Sequence, residues 1–315
     1  MSVNHSEDTG IGKVQGVGQK CEIRTWQERY RKDGRQEIVA KDSLYEEDLD
    51  KDKPYAIVVR EVFTDKNVLD HTIVQINSAQ LLKTFREVIK SYPTVPTDFE
   101  SPFEMESPFR MLYHYWDDLD IYRRSVSDDI TRMHLNLLFD FMKAELGPDK
   151  DRCEGMIRKN QISFEKLWTI YRPGDLQYTV ENGHPWILKM EKTAYEENVK
   201  KGKWLEVHCT YTDYDGTDIG QAAHIIHIYQ KRNFAAGNPA IITDLRIFPC
   251  KFLQGHRDLE AKLLERGTRF LELQGVLVRD YDGLAQYVKD PPTGFYDPEM
   301  GEWPAVWLPY TVRHL

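Results

Sequence analysis

Three groups of residues have the types and spacing to do chemistry. Asp213, Asp215 and Asp218 surround the turn Asp213-Tyr214-Asp215-Gly216. Carboxylates this close offer the hard oxygen ligands that calcium or magnesium takes. They do not form an EF-hand loop, which needs ligands at alternate positions and a closing glutamate. The competing reading is a polar hairpin turn, which the recurrence of Asp280-Tyr281-Asp282-Gly283 favours. The second group is His224 and His227. Residues three apart on a strand face opposite ways, so this pair converges on one metal only from a helix. Ile225, Ile226 and Ile228 favour a strand, with His208 within reach of His224 across the preceding hairpin. The third group is Trp168, Arg172, Asp175 and Tyr178, around Arg172-Pro173-Gly174-Asp175. A turn that shows polar groups beside aromatics suits contact with a protein partner. Against that, Trp168 and Tyr178 also read as plain core.

No catalytic residue stands out. Neither a GxSxG nor a HExxH sequence occurs, and no Cys-His signature does. Asp117, Asp118 and Asp120 beside Trp116 fall on the wet side of their helix rather than as an opposed glycosidase pair. Gly10, Gly12, Gly16 and Gly18 match neither GxGxxG nor GxxxxGK[ST], and read as a flexible leader. Cys21, Cys153, Cys209 and Cys250 are too far apart in sequence for a zinc knuckle or a redox pair. No cofactor is expected.

The elements that position these groups can be read from periodicity. Phe164, Leu167, Trp168 and Tyr171 fall on one helical face, with Ser163 as cap and the Pro-Gly turn as stop. Leu205, Val207, Cys209 and Tyr211 alternate with polar residues, as on a half-buried strand. Residues 219–229 return with apolar groups on both faces, as a buried strand would. Upstream, Cys21–Tyr30, Gln36–Ala40, Tyr55–Phe63 and Val68–Ile76 read as strands. A helix capped by Asn77 or Ser78 follows, with Leu81, Leu82, Phe85, Val88 and Ile89 on one face. Ser107-Pro108 reads as a helix start. A further helix over 127–146 is expected to bury Ile130, Met133, Leu137, Leu138, Phe141 and Met142. After a strand over 241–248, the helix 256–273 is expected to turn Leu259, Leu263, Phe270 and Leu271 inward, with Gly267 at a close approach.

The fold class is therefore α+β. It comprises a tail over 1–20, a small α+β unit over 21–92, and a connector with a helical pair over 93–161. A partly open antiparallel barrel over 162–290, with one packed helix, and a tail over 291–315 containing Trp303 and Trp307 complete it. A chain of 315 residues with 41% hydrophobic and 12% aromatic residues can bury a sizeable core. A net charge of −9 argues against a broad nucleic-acid surface. No apolar run reaches the roughly 20 residues that span a bilayer. The absence of a signal-peptide core and the cysteine usage point to an intracellular, cytoplasmic or nuclear setting.

Residues 162–176, Tyr211-Thr212-Asp213-Tyr214-Asp215-Gly216, Leu245-Arg246-Ile247-Phe248-Pro249 and the helix with Arg266-Gly267 and Phe270 together resemble a known family. They are similar to the uncharacterised domain that precedes the AAA-type ATPase core in many filamentous-fungal proteins. Pro108 to Trp116 resembles the helical part upstream of it. The resemblance spans roughly 60–290, and its most specific block is the Leu-Trp…Pro-Gly-Asp sequence. It implies an N-terminal accessory region, truncated from its motor or encoded alone, because no Walker A or Walker B sequence is present. It carries over no catalytic residue. The partners implied are an AAA-type core, in cis or in trans, and a protein substrate. Two alternatives remain open on the residues themselves. One is a hydrolase using Asp213, Asp215, Asp218 or His208 at a barrel mouth. The other is a single-strand nucleic-acid binder, for which Tyr171, Arg172 and Lys189 would form a patch of basic and aromatic groups.

Overall fold

The computed structural model describes residues 16–30, 36–40, 52–95, 98–181, 183–214 and 219–272. Residues 1–263 form one compact unit and 264–315 a second, described as far as residue 272. The first unit contains two five-stranded sheets, each with its own core.

The first sheet comprises β1 (Lys20–Tyr30), β2 (Gln36–Ala40), β3 (Tyr55–Phe63) and β4 (Leu69–Ile76), joined later by β5 (Phe103–Glu106). Its order is β2-β1-β3-β4-β5. The two expected hairpins are present, the second turning through Asn67 at φ 58°. β1 and β3 run parallel, which pairing by hairpins alone does not produce. Ahead of β1, Gly16–Gln19 is a folded turn rather than a loose leader, with Gly18 N–H donating to Lys53 O at 2.7 Å. Gly18 sits at φ +68°, and a Cβ there would lie 2.2 Å from the Asn77 carbonyl oxygen.

Four helices share one core with this sheet. α1 (Ala79–Val88) is capped by Ser78, whose hydroxyl accepts from Leu81 N–H at 3.2 Å. α2 (Arg110–His114) and α3 (Trp116–Ser125) break at Tyr115, where one helix was expected. Ser107-Pro108 is a cis peptide before α2, not its cap, and Ser107 Oγ accepts from Thr72 N–H. α4 (Asp129–Glu145) is capped by Asp128. It buries Thr131, His134, Leu135, Leu138, Phe139, Phe141 and Met142, while Ile130 and Met133 are 57% and 58% exposed. The expected stripe was therefore rotated at its first two turns. The first core runs from Ala56 to Leu146, so strands and helical pair share it.

α5 (Gly147–Ile157) leads through β6 (Gln161–Ile162) to a 3-10 turn over Phe164–Thr169. This turn replaces the expected α-helix, and Ser163 makes no side-chain cap bond, yet Phe164, Leu167, Trp168 and Tyr171 are all buried as expected. Then come β7 (Leu176–Glu181), β8 (His184–Asn198), β9 (Gly202–Tyr214) and β10 (Ile219–Tyr229). α6 (Gln230–Asn233) is a single turn. The expected strand over 241–248 is two short ones, β11 (Ala240–Ile241) and β12 (Ile247–Pro249), separated by a 3-10 turn. The second sheet has the order β10-β9-β8-β7-β12, wholly antiparallel. It is open, not closed into a barrel. β7 and β10 are three strand spacings apart, about 14 Å in a flat sheet. Glu181 on β7 nevertheless reaches His224 on β10 at 3.4 Å, so the sheet curls toward its inner face.

α7 (His256–Glu272) buries no side chain. Among the described residues Leu259, Leu263, Phe270 and Leu271 are not buried, and a Cβ at Gly267 would meet nothing within 4 Å, so the expected inward face and close approach are not seen there.

Candidate functional site

The Arg172–Asp175 turn is built as its sequence requires. Gly174 takes φ +89°, and Asp175 N–H donates to Arg172 O at 3.1 Å. Gly174 N–H donates to Met190 O at 2.7 Å and Met190 N–H to Asp175 O at 3.0 Å, pinning the turn to β8. Just before it, Tyr171 is fully buried and donates its hydroxyl to Ile247 O at 2.6 Å.

The four residues expected at a contact surface divide. Trp168 is 3% exposed and lies where α2 meets the Phe164–Thr169 turn, as the core reading of this residue expects. Its ring meets Tyr113 at 5.0 Å and lies 5.7 Å from the Arg110 guanidinium. Arg172 is half-buried, bonded to Asp118 at 2.8 Å and lying 4.1 Å from the centre of the Tyr115 ring. Asp175 is half-buried, and its carboxylate has no hydrogen-bond or ion-pair partner among the described residues. Burial raises its pKa, opposed by the charges of Lys251 and Arg172. Tyr178 stands on the outer face of β7, its ring 5.3 Å from Phe248. Leu176 and Val180 flank it, 39% and 48% exposed. β7 is inverted relative to an ordinary half-buried strand, because Gln177 and Thr179 are its buried residues.

Sequence reasoning missed His114. Its Nε2 donates to Trp168 O at 2.8 Å and its Nδ1 accepts from the Tyr92 hydroxyl at 3.0 Å. That pattern needs the neutral ring. Burial pushes its pKa down to about 4; the Trp168 carbonyl opposes this, while Arg110, Arg172 and Lys251 assist. A single histidine in an aromatic run carries no signal of such a role.

The acidic turn is described only at Asp213, whose carboxylate lies 3.4 Å from the Tyr211 hydroxyl. Asp215 and Asp218 lie outside the described residues. Among the described residues no three His, Cys, Asp or Glu side chains are grouped to hold a metal ion. His208 opposes Ile225, whereas His224 opposes Cys209, so the two histidines point to opposite faces and do not meet. His208 and His227 instead flank Glu206 at 3.1 and 3.4 Å on the outer face. His224 lies inside, with Glu181, which Arg246 also approaches at 3.6 Å. The three buried thiols, Cys153, Cys209 and Cys250, are chemically quiet. Burial pushes Cys209 up to about 12 and Cys250 up to about 11, and it raises Cys153 as well.

Residues 152–254 match the profile of a domain of unknown function, DUF7025. The match takes in the Pro-Gly-Asp turn and the whole second sheet. Comparison with curated proteins and with solved structures returned no match. No helix among the described residues is long and apolar enough to cross a membrane.

Proposed function

We propose that this chain is a non-catalytic recognition or regulatory region of the kind that precedes an AAA-type ATPase core in filamentous fungi, and that it binds a protein partner or substrate. The observation that carries this reading is the surface formed by Asp175 and the outer face of β7. A half-buried carboxylate with no hydrogen-bond or ion-pair partner among the described residues stands there beside Leu176, Tyr178 and Val180, on a turn pinned to β8 by two main-chain hydrogen bonds. Exposed apolar groups with a polar rim suit a protein contact. The neighbouring Arg172 is ion-paired with Asp118.

The test is titration of the purified chain against an AAA-type core from such a protein. Binding is expected to weaken at least about tenfold in an Asp175→Ala, Tyr178→Ala double variant, about 1.4 kcal/mol or more. The chain alone is expected to show no magnesium-dependent ATP hydrolysis, and turnover that co-purifies with it would overturn the reading. A second reading, a hydrolase at the curled end of the sheet, is favoured by the Glu181, His224 and Arg246 cluster, which Tyr211 links to Asp213. Ester or glycoside hydrolysis abolished by Glu181→Gln, in a variant that still folds, would select it.

A further inference from the structure

β5 is the end strand of the first sheet among the described residues. Its register shows where its main chain points. Bonded and non-bonded pairs alternate along an antiparallel ladder. Ser107 N–H donates to Thr72 O at 2.8 Å, so the Thr72–Ser107 pair is bonded. Val74–Met105 is then bonded too, and Ile73–Glu106 and Gln75–Glu104 are not. The other side of β4 gives the same phase. Asn77 N–H donates to Ala56 O at 3.0 Å, which turns the main chains of Gln75 and Ile73 toward β3. The N–H groups of Glu104 and Glu106 and the C=O of Glu104 therefore point out of the sheet. The C=O of Glu106 is already taken by Phe109 N–H at 3.0 Å.

A cavity of about 400 Å³ lies along this edge. Ile73, Val95, Met105 and Met111 give it apolar walls, and Glu104, Glu106 and Arg110 line it as well, the last being bonded to Thr193. Along β5, Phe103 and Met105 are buried, whereas Glu104 and Glu106 are exposed. Glu104 is paired with Arg60, while Glu106 has no ion-pair partner among the described residues.

We propose that β5 accepts, as an added strand, an extended peptide segment of alternating apolar and basic residues. Main-chain pairing would supply affinity and the alternating side chains would supply selectivity. An apolar residue opposite Met105 enters the cavity, and a basic residue opposite Glu106 supplies its missing counter-ion. A second copy of this chain fits poorly, because pairing β5 with itself sets glutamate against glutamate. A short acidic edge also guards a sheet against aggregation, but guarding requires no cavity beside it.

The experiment uses the full chain and two capped pentapeptides, Lys-Val-Lys-Val-Lys and Glu-Val-Glu-Val-Glu, with amide exchange read residue by residue. The basic peptide is expected to slow exchange at Glu104 and Glu106 at least about tenfold, and Glu106→Lys and main-chain N-methylation of the peptide should each abolish this. Equal protection by the acidic peptide, no protection at these two amides, or self-association of the chain through β5 would overturn the proposal. Any of these results leaves the Asp175 and Tyr178 surface untouched, so the two readings fail separately.

Discussion

His114 sets a direction for the pH dependence of folding. Its pKa falls from an ordinary 6.5 to about 4 on folding, chiefly through burial. Between those values the unfolded chain holds a proton that the folded chain lacks. Stability present above pH 6.5 is therefore lost as pH falls toward 4, by up to about 3 kcal/mol. Urea midpoints measured across this window should drop in the native chain and drop less in His114→Gln. A rise on acidification would refute the neutral bridge between Tyr92 and Trp168. At Tyr171 the hydroxyl is the buried donor for the Ile247 carbonyl. Tyr171→Phe removes it and should cost about 1–3 kcal/mol, read from chemical denaturation. Neither role was legible beforehand. Tyr171 could be assigned to the core by its spacing, but the acceptor lies 76 residues away.

At the scale of elements, α4 shows what periodicity leaves undecided. Ile130, Met133 and Leu137 are spaced as well for a helical stripe as Leu135, Leu138 and Met142 are. The sheet and α1 select the second set, and Ile130 and Met133 stay in water. Leu138→Ala should cost about 2–5 kcal/mol, whereas Met133→Ser should change stability by no more than about 0.5 kcal/mol. Thermal melting of the two variants distinguishes this orientation from the expected one. The strands were easier. Leu205, Val207 and Cys209 are buried in alternation, as the sequence pattern demands. A thiol reagent applied to the native chain should spare Cys153, Cys209 and Cys250 and label Cys21, which is only half-buried, although burial raises its pKa too.

Across the first unit, two cores meet where α2 faces the Phe164–Thr169 turn. Arg110 bonds to Thr193 O and Oγ1 at 3.4 and 3.3 Å and lies 5.6 Å from the centre of the Tyr195 ring. Trp168 fills the space between them. Trp168→Ala should cost about 3–5 kcal/mol and speed amide exchange on both sides of the junction, in α2 as well as in β8. Exchange altered on one side alone would mean that the cores are held together elsewhere. This junction explains why Trp168, expected at a contact surface, is buried. A tryptophan beside a turn reads the same whether a second core covers it or water does.

What the chain determined by local pattern was the α+β class, the Ser78 cap, the hairpin turn through Asn67 and the Pro-Gly turn. Each is set by the φ/ψ, side-chain and hydrogen-bond preferences of residues within a few positions of one another. Tertiary structure alone decided the parallel pairing of β1 with β3, the rotation of α4, the meeting of Glu181 with His224, and the place of β5 at the end of its sheet among the described residues. Those depend on which surface arrives from far along the chain. A side chain's environment is a property of both partners, and periodicity describes only one of them.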